Sequence, residues 1–95
     1  MFIYVELRFG EPVNMAFYYV YILRSIADSH RYYVGITENI EERLKRHNVG
    51  QCKHTSKFIP WQIEIAIAFR EKDKAVSFEK YLKSHSGRAF AKKHF

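Results

Sequence analysis

The sequence predicts an α+β domain, a small three-stranded antiparallel sheet flanked by helices. Three observations carry this. Residues 17–23 and 32–37 are aromatic-rich, strand-like runs separated by one short polar stretch. Residues 61–69 form a third run, in which Trp61, Ile63, Ile65, Ile67 and Phe69 alternate with Gln62, Glu64, Ala66 and Ala68. Apolar residues recur at helical spacing over residues 37–48, from Asp73 onward and over 88–94.

Taken in order, the first fourteen residues hold two Glu and one Arg in a chain that is otherwise basic, and Met15 follows directly. They read as an extension, with translation starting at Met15 and the domain spanning residues 15–95. The competing reading is an added edge strand over the alternating stretch MFIYVELRF. Residues 17–23 are apolar on both faces, as a central strand would be. Asp28-Ser29 suits a hairpin loop, so residues 32–37 return antiparallel and bring Tyr21 near Tyr33.

Thr37 is the expected helix N-cap, with Glu38, Glu41 and Glu42 early, Lys45, Arg46 and His47 late, and Gly50 just after. Ile40 and Leu44 then face the sheet. Arg43 and His47, four apart beside that stripe, are expected to point into one groove. Residues 51–60 read as a basic loop. The helix from Asp73 turns Ala75, Phe78 and Leu82 inward and ends near Ser86-Gly87. A last short helix over residues 88–94 packs Phe90 and exposes Lys92 and Lys93.

Ninety-five residues allow one domain and one modest core. Sixteen Lys and Arg against ten Asp and Glu leave a net charge of +6, which points to a polyanionic partner. The single Cys52 forms no internal disulfide, and no apolar run approaches the ~20 residues that cross a bilayer, so a reducing cytoplasm is expected and a membrane is not.

The ordered set Tyr19-Val20-Tyr21, Tyr33-Val34-Gly35, R-L-x-x-H-N from Arg43, Pro60-Trp61, F-E-x-x-L-K-S from Phe78 and G-R-A-F from Gly87 resembles the GIY-YIG nucleases, in particular their short stand-alone members, which are similar to the N-terminal domain of excision-repair nucleases. The likeness runs over residues 17–95. Tyr19 stands where the family name has glycine, and Ile36 where some excision-repair members have lysine.

The resemblance implies a metal-dependent DNA endonuclease acting on branched or damaged DNA, by nicking or structure-selective cleavage. It matches Glu79 to the family's metal-binding glutamate, here for a single Mg²⁺ or Mn²⁺. Arg43 matches the helix arginine, whose planar fork holds a phosphate oxygen. Tyr21 and Tyr33 match the signature tyrosines. Since a free phenol titrates near ~10 and imidazole near ~6.5, either a perturbed Tyr33 is the base with His47 assisting, or His47 shares that role. Phosphate contacts are expected from Lys45, Arg46, Lys53, Lys57, Lys83, Arg88, Lys92 and Lys93. A domain this small would take specificity from DNA shape, a homodimer or a partner protein.

Two other readings stand beside this one. Cys52-x-His54 near His47 does not supply the four paired ligands of a structural zinc site. Interleaved tyrosines and basic residues also suit a non-catalytic nucleic-acid-binding module on the same fold.

Overall fold

The computed structural model describes residues 3–6 and 12–95. Strands β1 (Ile3–Glu6) and β2 (Pro12–Met15) pair antiparallel in a two-stranded sheet of their own. The edge strand considered for the first nine residues therefore pairs with β2 and not with the main sheet. The rest of that stretch lies outside the described residues.

The main sheet holds β3 (Tyr18–Ser25), β4 (Tyr32–Thr37) and β5 (Trp61–Phe69), all antiparallel, in the order β4-β3-β5. The strand that is apolar on both faces is the central one, because only there do both faces meet a core. On one face Tyr19, Tyr21 and Leu23 pack with Trp61 and with Ile40 and Leu44 of helix α1 (Ile40–Asn48). On the other, Val20 and Ile22 pack with Ala75, Phe78 and Leu82 of α2 (Lys72–Lys83) and with Phe90 and Ala91 of α3 (His85–His94).

Strict alternation fails in β5. Consecutive residues Ile22 and Leu23 of β3 pair with Ile65 and Ile63, which leaves Glu64 in a bulge. The extra residue flips the strand's polarity. Trp61 and Ile63 face the core under α1, while Ile65 and Phe69 face the core under α2 and α3. A sheet covered on both sides needs bulk on both, and the bulge divides one strand's large side chains between them.

Two helix boundaries also move. Asn39, not Thr37, caps α1: its Oδ1 accepts the Glu42 N–H at 3.1 Å, and Thr37 Oγ1 braces the cap by accepting the Asn39 N–H at 3.2 Å. At the other junction Ser84 serves two helices. Its N–H closes α2 on the Tyr81 carbonyl, and its Oγ caps α3 by accepting the Gly87 N–H at 3.1 Å. Gly87 is thus no terminator. It lies buried in the first turn of α3, where a Cβ would overlap the backbone of Tyr81 and Leu82.

That contact fixes how closely the two helices approach. Gly87→Ala should destabilise the domain by about 3 kcal/mol or more in denaturant unfolding, whereas Ala89→Ser on the exposed side of the same helix should stay within about 0.5 kcal/mol.

Candidate active site

Tyr21 and His47 meet in the core under α1, both fully buried. The phenol oxygen of Tyr21 lies 3.0 Å from His47 Nε2, and His47 Nδ1 lies 2.8 Å from Thr55 Oγ1. Thr55 Oγ1 donates to the Cys52 carbonyl at 3.3 Å, which commits its one proton. Thr55 must then accept from His47 Nδ1–H, and a neutral imidazole protonated there accepts the Tyr21 O–H at Nε2. The chain runs Tyr21 to His47 to Thr55 to the Cys52 carbonyl, every proton used once.

Sheet and loop fix this chain from both ends. Tyr21 pairs across the ladder with Gly35, and a Cβ at Gly35 would overlap the phenol of Tyr21. The glycine of Tyr33-Val34-Gly35 is the space the ring occupies. On the loop side, the neighbouring Asn48 clamps the start of β5. Its amide donates to the Trp61 carbonyl at 3.0 Å and accepts the Trp61 N–H at 2.6 Å. Trp61 Nε1 in turn donates to the Thr55 carbonyl at 2.9 Å.

Burial raises the Tyr21 phenol well above its ordinary value, Tyr33 adds to this, and the Arg43 guanidinium pulls the other way. Burial also holds His47 below the ordinary imidazole, helped by the positive charge of Arg43. Both are neutral partners near pH 7. His47 therefore does not open into a groove beside Arg43, as helical spacing suggested; it turns inward and Arg43 alone reaches the surface.

Tyr33 is half-buried, its ring 4.9 Å from that of His47 and 6.3 Å from that of Tyr21. Arg43 lines a hollow of about 370 Å³ with Ile36, Thr37, Arg46 and Val76. Among the described residues no carboxylate pairs with Arg43, whereas Arg46 is held by Glu42 at 2.8 Å. A second hollow, about 870 Å³, is lined by Tyr32, Tyr33, Val34 and Lys83.

The two hollows follow one seam between β4 and α2. Val76 lies in the first and Lys83 in the second, and Glu79 stands between them at helical spacing on α2. Its side chain is only 16% exposed and bonds Lys83 Nζ at 2.9 Å. Tyr21, Tyr33, Arg43 and His47 thus form one cluster; Glu79 lies in the opposite layer, on α2, and lines neither hollow.

Residues 17–93 match the model of the GIY-YIG catalytic domain. The chain belongs to the GIY-YIG family. It is 38% identical over 80 residues to the structure-specific endonuclease subunit SLX1 of Debaryomyces hansenii, covering 76% of this chain and 23% of that protein. It is 40% identical over 72 residues to the SLX1 homologue of Drosophila persimilis, covering 66% and 25%. A UPF0213 protein of Bacillus licheniformis is 40% identical over 70 residues, covering 73% of this chain and 70% of its own length. The chain spans about a quarter of the length of those two SLX1 relatives.

The expected phosphate-binding cations of this GIY-YIG domain do not form one set. Lys45 and Arg46 lie on α1, and Lys53 and Lys57 on the exposed loop after it. Lys83, Arg88 and Lys92 line the second hollow, joined there by Arg24, and Lys93 is exposed on α3. Sequence reasoning missed Thr55, Asn48 and Arg24 as members of these constellations. Nothing local marks Thr55: it sits in a polar loop, and its partner is eight residues away. Among the described residues no group of three or more His, Cys, Asp or Glu is placed to hold a metal, and no helix is long and apolar enough to cross a membrane.

Tyr21→Phe and Thr55→Val each leave one ring nitrogen of His47 buried without a partner, and each should cost about 1–3 kcal/mol in denaturant unfolding. The unfolded chain, with imidazole near ~6.5, takes up the His47 proton before the folded one does. Stability from this site is therefore full above about pH 6.5 and falls below it, by at most about 1.4 kcal/mol per pH unit, until the folded ring protonates. His47→Gln should flatten that part of the pH–stability curve.

Proposed function

We propose that this GIY-YIG domain is a divalent-metal-dependent DNA endonuclease that nicks or cuts by substrate structure rather than by sequence. The observation that carries the reading is the β4–α2 boundary, where Arg43 lines one hollow, Tyr33 lines the next, and the shielded carboxylate of Glu79 lies on α2 between Val76 of the first lining and Lys83 of the second. The relatives named as structure-specific endonuclease subunits support it.

The donor set fits a small hard cation. A single carboxylate at Glu79 suits Mg²⁺ or Mn²⁺, which keep several waters and complete their shell with substrate phosphate. Lys83 must give way for that. Its side chain is half exposed, and such pairs contribute only about 0–1 kcal/mol. When bound, the cation supplies Lewis-acid stabilisation of charge on the phosphoryl oxygens.

Arg43 holds a nonbridging phosphate oxygen and stabilises the charge that grows there in the transition state. We assign Tyr33 the role of base toward the attacking water. Tyr21 is poorly suited to that task, because its proton is committed to His47 and burial keeps it on the phenol. We assign Tyr21 and His47 the work of holding the Tyr33 ring and the Arg43 stem in register. His47 assists the base by position rather than by exchanging a proton.

Exposed lysines and arginines contact phosphates, and a branched or damaged duplex, a second copy of the chain or a partner protein supplies specificity. The single Cys52 agrees with a reducing compartment, and we place the protein in the cytoplasm.

Purified protein with Mg²⁺ or Mn²⁺ should cut supercoiled or branched DNA. Glu79→Gln, Arg43→Ala and Tyr33→Phe should each lower the rate by about 100-fold or more with the fold intact by circular dichroism. A wild type that cuts no better than Glu79→Gln on supercoiled, branched and single-stranded DNA would make the chain a nucleic-acid-binding module without catalysis.

A further inference from the structure

We propose that the larger hollow, between the β3–β4 hairpin end of the sheet and the α2–α3 pair, holds one or two unpaired nucleotides of the DNA substrate. This rests on the reading of the seam as the site of cleavage, and it names what sits beside that site. The hollow measures about 870 Å³, within the ~300–1,000 Å³ of pockets that enclose small organic ligands.

Its chemistry has three parts. The floor is apolar, built from Ile22, Val34, Leu82 and Ala91. Two aromatic rings line the hollow with faces open to solvent, Tyr32 at 54% and Phe95 at 40% exposure, and a base can stack on such a face. Four cations, Arg24, Lys83, Arg88 and Lys92, line it with these rings; Arg24 lies 3.9 Å from the Glu64 carboxylate and Lys83 is bonded to Glu79, which leaves Arg88 and Lys92 without a carboxylate partner among the described residues. Arg24 also stands 5.6 Å from the centroid of Tyr32, so a cation already sits on one side of that ring.

A duplex presents phosphates outward and keeps its base faces stacked inside, so it has no use for an apolar floor and two exposed rings. An unpaired strand presents both, bases for the rings and phosphates for the cations. The position agrees with this. Tyr33 lines the hollow, and so does Lys83, whose ammonium is bonded to Glu79. A strand leaving the cleavage seam would enter the hollow at once.

Binding is read by fluorescence anisotropy in EDTA, where no cutting occurs, using oligo(dT), a duplex of equal length and a flapped duplex. Tyr32→Ala, at an exposed position that leaves the core untouched, should weaken oligo(dT) and flap binding about 5- to 150-fold and change duplex binding less than twofold. Arg88→Glu should weaken the same two probes. Equal losses on all three probes, or none on any, would overturn the assignment. So would an aromatic-containing acidic peptide whose binding depends on Tyr32 while oligo(dT) binding does not, since the hollow would then serve a partner protein. Because cutting is absent from this assay, a chain that binds flaps through Tyr32 yet never cleaves would refute the nuclease reading and leave this one standing.

Discussion

The buried chain from Tyr21 through His47 and Thr55 to the Cys52 carbonyl ties three distant stretches together: the central strand, the last turn of α1 and the loop before β5. Unpaired, each of these polar groups would carry a desolvation penalty comparable to a large share of a small domain's stability. Paired in sequence, they allow one arrangement of α1 on the sheet. Arg43, one turn before His47 on the same helix, inherits its place from that arrangement.

The opposite layer is fixed by packing instead. Ala75 and Leu82 are fully buried against Val20 and Ile22, and Gly87 lets α3 close onto the end of α2. Both layers border β4, through Tyr33 on one face and Val34 and Ile36 on the other. The outer edge of β4 pairs with no further strand among the described residues, and a guanidinium lies on one side of it and a carboxylate on the other.

Much of this was legible in the residues. β3 announced its central place by being apolar on both faces, and β4 followed from the short polar loop before it. The nearness of Tyr21 to Tyr33 came from that hairpin, while the register that sets Tyr21 opposite Gly35 did not. What stayed hidden had non-local causes. The bulge at Glu64 answers a demand from both cores at once, which no period within β5 expresses. Gly87 reads as a helix end by local rule, but the neighbouring helix requires its missing Cβ. His47 has the spacing of a groove residue, and only the position of Thr55 across the loop explains why it points inward.

The most direct test is the protonation state of His47, observed by nitrogen NMR of the imidazole in the folded protein near pH 7. The account predicts a neutral ring with its proton on Nδ1 and a bare, hydrogen-bond-accepting Nε2. A proton on Nε2, or a doubly protonated ring, would contradict it, because Tyr21 could then no longer donate and the chain that seats α1 would run otherwise.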